Sequence, residues 1–179
     1  MENGASSYRR YLNGDELAFE QIVKEYREPL TLFINGFTHD LFAAEDIAID
    51  VFAYIASEPR RYNFKVSLKT YLYMLGRSRA IDYLRKRKRE LTLIFEDSFV
   101  ALSAEPSAEE EYIAEEERRE LYSAISKLPQ KMREVVYLVY LENMSYEEAA
   151  KIMKTSRKQV DNLLYRAKEE LRLTIGRKV

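Results

Sequence analysis

Residues 79–90 read RAIDYLRKRKRE, with five consecutive basic residues from Arg85 to Arg89. On a helix, Tyr71, Ser78, Asp82, Arg85 and Arg89 share one face, while Lys69, Tyr73 and Arg77 share another. Cations interleaved with aromatic rings suit nucleic acid with unstacked bases, because cations hold phosphates and rings stack on bases. A solvated helix end or a targeting signal would use the charge without the rings. A second group lies towards the C-terminus. Ser145 with Glu148, then Ser156 with Gln159, are spaced as two helix capping boxes. The first opens a stripe of Ala149, Ile152 and Met153, and the second a stripe of Val160, Leu163, Leu164, Ala167 and Leu171. With only the turn KTS between them, the pair reads as a helix-turn-helix. The outer face of its second helix carries Arg157, Lys158, Asp161, Asn162, Tyr165, Arg166 and Lys168. Such a helix enters the major groove. There Arg pairs with guanine, Asn pairs with adenine, and an aspartate accepts from cytosine. Lys158 and Lys168 suit phosphates, which fix position without reading sequence.

Little else in the chain offers chemistry. There is no cysteine, which removes disulfides, thiolate metal sites and cysteine nucleophiles. The one histidine, His39, reads as a polar residue near a helix start. No Gly-rich phosphate loop is present, so an enzyme, a cofactor or a small-molecule substrate is not expected. No apolar run approaches the roughly 20 residues that span a bilayer. The N-terminus has no apolar signal region, and a cytoplasmic protein without membrane contact is expected. Among 179 residues, 46% are hydrophobic and 33% charged, a foldable composition with room for one ordinary domain or two small ones.

Net charge is only −1, but it is strongly segregated. Residues 1–59 carry −7, residues 60–90 carry +9, residues 91–120 carry −8 and residues 151–179 carry +6. Two basic blocks separated by an acidic one predict two contacts with a polyanion.

The elements that position these groups are helical nearly throughout. Phe19, Ile22, Val23 and Tyr26 form a stripe behind Asp15, a plausible N-cap. Pro29 is expected to break this helix or start the next, which carries Leu30, Phe33, Ile34 and Phe37. Ala44, Ile47, Ala48, Val51, Phe52 and Ile55 mark a third helix. Residues 57–67 read as a loop, and a fourth helix starts near Ser67 and runs to about Arg89, with Leu68, Leu72, Leu75, Tyr83 and Leu84 on one side. Residues 91–110 lose the period and collect Ser, Pro and Glu, as a linker does, with LTLIF as a possible short strand or apolar foot. Periodicity resumes near Glu111. Leu121, Ile125 and Leu128 precede Pro129, and Met132, Val135, Val136, Val139 and Tyr140 follow it. The expected fold is all-α, with two small four-helix domains over residues 12–90 and 112–175 and an acidic linker over 91–111.

In this order, AAEDIAIDVF (43–52), SLKTYLYMLGRSRAIDYLRKRKR (67–89) and residues 125–172 resemble the motifs of the extracytoplasmic-function sigma factors of bacterial RNA polymerase. The resemblance covers about residues 12–90 and 112–174. It implies a region 2 domain that docks on the clamp helices of the polymerase's largest subunit through Glu45, Asp46, Ile49 and Asp50. The same domain would engage and open the minus-ten element of promoter DNA, using Asn63, Phe64, Tyr71, Arg77, Ser78, Asp82, Arg85, Arg87 and Arg89. The loop from Asn63 to Ser67 matches the one that takes a flipped promoter base. The region 4 domain would sit on the β flap and read the minus-thirty-five element through Arg157, Lys158, Asp161, Asn162, Tyr165 and Arg166. The linker would thread towards the RNA exit channel. Many members of the family are held by an anti-sigma factor, and nothing in the sequence names one.

Several positions depart from the family pattern. Tyr71 stands for the usual Trp, and Ser78 for the Asn of IARN. Ile49 stands for the usual Gln, and Asp161 stands where a basic residue is common, which implies an altered minus-thirty-five preference. Gly76 is expected to weaken its helix by about 1 kcal/mol relative to Ala. Two rivals use fewer of these features: a stand-alone helix-turn-helix regulator, and an inactive sigma-like protein that titrates polymerase or an inhibitor.

Overall fold

The computed structural model describes residues 4–94 and 121–175, with residues 91–94 described by their backbone. All regular elements among them are helical. The described residues divide into two compact units, one over 4–94, the other mainly over 121–150 and 154–175.

The first unit is built around α2 (Glu16–Thr38), which packs against α1 (Ala5–Leu12), α3 (Leu41–Ser57) and α4 (Leu68–Ile94). Each of the three long helices begins at a side-chain cap. Asp15 Oδ1 accepts from the Ala18 amide at 3.2 Å, Asp40 Oδ1 from Ala43 at 3.1 Å, and Ser67 Oγ from Thr70 at 3.1 Å. Each cap satisfies an amide that the helix cannot, worth about 1 kcal/mol. The N-cap read for Asp15 therefore holds.

Pro29 does not divide the helix as expected. Helix α2 runs through it without interruption. The stripe before it (Ile22, Tyr26) and the stripe after it (Leu30, Phe33, Ile34, Phe37) stay in phase and are buried. Burial of five large side chains beyond Ile22, at roughly 1.5–3 kcal/mol each, outweighs the roughly 3 kcal/mol that a mid-helix proline costs.

Helix α1 is the element that sequence periodicity misses. Only one of its eight residues, Tyr8, is buried, so no apolar stripe marks it, and that anchor has no exposed surface. The Tyr8 hydroxyl lies 3.1 Å from the Ile55 carbonyl and 3.0 Å from that of Pro59, so its burial is compensated. Gly4 begins α1 at φ 69°, where a Cβ would come 2.9 Å from the Tyr26 hydroxyl. Only glycine meets both conditions without strain.

Helix α4 continues through Leu91 to Ile94, so these residues are helical rather than the short strand considered for LTLIF. The rest of the acidic stretch, and the helix expected from about Glu111 as far as residue 120, lie outside the described residues. In the second unit, α5 (121–126) ends before Pro129 and is followed by α6 (Gln130–Val136), which continues as a π turn over Tyr137–Leu141. Then come α7 (Tyr146–Met153) and α8 (Arg157–Ile175), the latter packed on α6. Ile125, Leu128, Met132, Val135, Val136 and Leu138 are buried, while Leu121 and Tyr140, expected in the stripe, are exposed.

Candidate nucleic-acid interface

The expected helix-turn-helix forms. Ser145 and Glu148 make a complete capping box: the Glu148 amide donates to Ser145 Oγ (3.2 Å), and the Ser145 amide donates to Glu148 Oε2 (3.0 Å). The turn is Lys154–Ser156, with Lys154 at φ 53° and the Thr155 amide donating back to the Ala150 carbonyl at 2.9 Å. This left-handed exit with a backward bond terminates α7. The second box is half formed. Ser156 Oγ accepts from the Gln159 amide at 3.2 Å, but the Gln159 side chain accepts from Thr155 Oγ1 instead of reaching the Ser156 amide.

Helix α8 buries Val160, Leu164 and Ala167 and half-buries Leu163 and Leu171. Its outer side shows Arg157, Asp161, Tyr165 and Lys168 on one ridge, with Lys158, Asn162 and Arg166 on the next, all exposed. Two of these cations already have neighbours. Arg157 Nε lies 2.9 Å from Glu147 Oε1, and Lys168 Nζ lies 5.5 Å from the centre of the Tyr140 ring. The Tyr140 hydroxyl bonds Lys168 and holds its ammonium pKa above the usual lysine range. Tyr140 thus lies exposed beside a cation on α8 rather than in the expected core. The Arg157 pair is exposed and worth little, so a phosphate or base can replace it.

In the first unit, α4 is uninterrupted and carries Tyr71, Ser78, Asp82, Arg85 and Arg89 along one face. Ser78, Asp82, Arg85 and Arg89 are exposed, and Tyr71 is half-buried. Asp82 Oδ1 lies 3.4 Å from Arg85 Nη1, and Arg89 Nε donates to the Arg85 carbonyl at 3.4 Å. Arg77 and Arg87 are half-buried and lie off this face, by roughly 120° and 160° of helix rotation. Tyr73, read as a surface ring beside Lys69 and Arg77, is instead fully buried, with its ring 4.9 Å from Phe33.

The loop before α4 is tightly held. Tyr62 is buried, and its hydroxyl donates to the Val66 carbonyl at 2.7 Å. Asn63 Oδ1 accepts from the Lys65 amide at 3.1 Å. Phe64 has φ 60° and packs on Tyr62 at 4.5 Å. Tyr62 in turn stacks on Tyr71, centroids 5.1 Å apart and planes 30° from parallel. Burial pushes the Tyr71 hydroxyl pKa up, while Arg79 and Arg61 pull the other way. Arg79 lies over the Tyr54 ring at 4.8 Å. Sequence reading missed Tyr62, Arg61, Arg79 and Arg9 of α1, although the PRRY run of 59–62 was visible inside the basic block.

Helix α3 turns Glu45, Asp46, Ile49 and Asp50 to one side, with Glu45 half-buried and the other three exposed. Phe42 is 83% exposed on the same side, a residue that the motif did not flag. It sits ahead of the inward stripe, two residues after the Asp40 cap.

An all-α protein with a basic, aromatic-bearing helix in one unit and a capped helix-turn-helix in the other is a DNA-binding transcription protein. Comparison with known proteins identifies the class. Residues 22–90 match the family Sigma-70 region 2, and residues 118–171 match Sigma-70, region 4. The chain is 27% identical over 163 residues to the ECF RNA polymerase sigma factor SigM of Bacillus subtilis, covering 91% of this chain and 98% of that protein. It is 29% identical over 171 residues to the ECF RNA polymerase sigma factor SigW of the same organism, covering 89% of each. The fold matches that of the sigma factor RpoE in its complex with the anti-sigma factor NepR from Bartonella quintana. The TM-score is 0.70 at 20% identity, over 88% of this chain and 96% of that one. The chain belongs to the sigma-70 family of RNA polymerase sigma factors, in its extracytoplasmic-function group. It is a transcription initiation factor that acts with core polymerase and promoter DNA. No described helix is long and apolar enough to cross a membrane.

Proposed function

We propose that the chain divides promoter recognition and polymerase docking among three surfaces. Residues 12–90 form the region 2 domain, residues 91–111 an acidic linker and residues 112–175 the region 4 domain. Glu45, Asp46, Ile49 and Asp50 on α3 dock on the clamp helices of the largest polymerase subunit. The loop at Asn63 and Phe64, with Tyr71, Ser78 and Asp82, meets unstacked minus-ten bases, and Arg85 and Arg89 follow the adjoining phosphates. Arg77 and Arg87 contribute positive potential from the sides of α4. Arg157, Lys158, Asp161, Asn162, Tyr165 and Arg166 read the minus-thirty-five duplex, and the same domain rests on the β flap. Catalysis belongs to the polymerase, so this chain is not itself an enzyme, and it works in the cytoplasm, where promoters are. An anti-sigma factor of its own is a further expected partner.

The observation that carries this reading is the one face of α4 that runs from Tyr71 to Arg89. Aromatic, hydroxyl, carboxylate and guanidinium groups follow one another along it, beginning at the stacked Tyr71 and ending in a basic tail. A repressor that binds closed duplex has no use for such a face, since stacking partners serve separated strands. Run-off transcription with purified core polymerase tests it. Initiation at defined start sites is expected, and replacing Tyr71 with Ala should depress promoter opening more than binding to closed promoter DNA. Promoter binding without initiation would leave a stand-alone DNA-binding regulator.

A further inference from the structure

We propose that helix α1 is a working part of the minus-ten site, and that Arg9, lying over the Phe64 ring, fixes the shape of the loop that receives an unstacked base. This rests on the assignment of the Asn63–Ser67 loop to base recognition. Helix α1 precedes both stretches matched by the family, the first of which begins at residue 22.

Phe64 holds a left-handed backbone, φ 60°, which an aromatic residue adopts only when its surroundings impose it. Three groups surround its ring: Tyr62 at 4.5 Å, Tyr8 at 6.2 Å and the Arg9 guanidinium at 5.0 Å. Two of the three come from α1. The helix is itself fastened to the end of α3 and the turn entering the loop, because the Tyr8 hydroxyl reaches the Ile55 and Pro59 carbonyls and the Tyr11 hydroxyl donates to the Ala56 carbonyl at 3.2 Å. A continuous series of ring contacts then leads from Arg9 through Phe64 and Tyr62 to Tyr71. Asn63 and Lys65, on either side of Phe64, remain exposed. With Phe64 pinned from behind, Asn63 and Lys65 are presented to solvent on either side of it, the Lys65 amide closing on Asn63 Oδ1. Arg9 is therefore a positioning residue that acts through Phe64, and the base preference of the loop depends on it.

The test uses holoenzyme assembled with a core polymerase that the unaltered chain activates. The probe is a pool of fork-junction DNA whose single-stranded minus-ten segment is randomised, and the bound fraction is sequenced. Arg9→Ala should reduce the preference at one position by roughly three- to tenfold, as expected for loss of a cation–aromatic contact. Preferences at the other positions and affinity for core should stay unchanged. Added to Phe64→Leu, the same change should have no further effect, since both act through one contact. A uniform loss at every position that vanishes in high salt would make Arg9 a simple phosphate contact and overturn the proposal. Additive effects of the two substitutions, or an Arg9→Ala protein with unaltered preferences, would overturn it too. Tyr71→Ala separates this failure from the wider one. If that protein also keeps every preference, the minus-ten assignment itself is wrong; if it loses them while Arg9→Ala does not, only the role of α1 falls.

Discussion

Gly76 of α4 faces Leu30 and Ile34 of α2. A Cβ there would lie 2.9 Å from Leu30 Cδ1 and 3.3 Å from Ile34 Cδ1, and both side chains are fully buried. Its helix-weakening effect, about 1 kcal/mol, is thus exchanged for close packing of two helices. Gly76→Val should destabilise the first unit by about 1–3 kcal/mol through overpacking, measured by chemical unfolding. An unchanged midpoint would mean that Leu30 and Ile34 can retreat. Arg166 is exposed on α8 beside Asn162, and Arg166→Ala should cost roughly 1–3 kcal/mol of minus-thirty-five binding and relax specificity at one base pair. Titration of duplexes substituted one base pair at a time checks this. A uniform loss across all duplexes would make Arg166 a phosphate ligand. At this scale the sequence is ambiguous where two similar residues compete. Tyr71 and Tyr73 are two residues apart, hence on opposed sides of a helix, and pattern alone does not say which ring goes inside. The core decides, because Phe33 of α2 receives Tyr73 and leaves Tyr71 to stack on Tyr62.

The elements are set by their ends as much as by their stripes. Ser145→Ala removes the acceptor for the Glu148 amide and half of a reciprocal box, so it should destabilise the second unit by about 1 kcal/mol. Gln159→Ala should cost less, because its side chain does not complete a box. Reversed magnitudes in thermal unfolding would contradict the observed geometry. Asp15 adds a pH dependence. The Arg10 side chain bonds its carboxylate and holds its pKa below the usual range, with the Ala18 amide contributing. A folded-state pKa below the unfolded one means that the folded chain favours the ionised form. The stabilisation is complete above the ordinary carboxyl value of about 3.9 and is lost as pH falls through the lower folded value. Asp15→Asn keeps a capping oxygen without the charge, and should flatten that part of the acid-unfolding profile. Caps and the helix-turn-helix were legible from sequence because they depend on neighbours three or four residues apart. The unbroken α2 and the short α1 were not, because packing against distant residues decides both. Pro29 is outvoted by Leu30, Phe33, Ile34 and Phe37, and α1 exists because Tyr8 finds the carbonyls of Ile55 and Pro59.

Over the whole molecule, a charge of −1 is the remainder of large blocks of opposite sign. The +9 block contains α4 and its loop, the +6 block contains α8, and Glu45, Asp46 and Asp50 of α3 belong to the −7 block. This division was legible in the sequence, since charge needs no fold to be counted. Which cations share a surface was not, because that depends on helix phase. Arg85 and Arg89 lie on the Tyr71 face, whereas Arg87 is roughly 160° round the helix. Each phosphate contact releases counterions and contributes about 0.7 (single strand) to 0.9 (duplex) to the slope of log affinity against log salt. Reversing Arg85 and Arg89 together to Glu should therefore weaken holoenzyme binding to promoter DNA and shallow that slope by roughly 1.4–1.8. Arg87→Glu alone changes net charge by the same amount per residue but faces elsewhere and acts only through the potential of α4, so its slope should shallow by well under the roughly 0.7–0.9 expected of one phosphate contact. If Arg87→Glu shallows the slope as much per charge as the Arg85 and Arg89 pair, then DNA responds to the charge of α4 as a whole and the single-face geometry does not govern the contact.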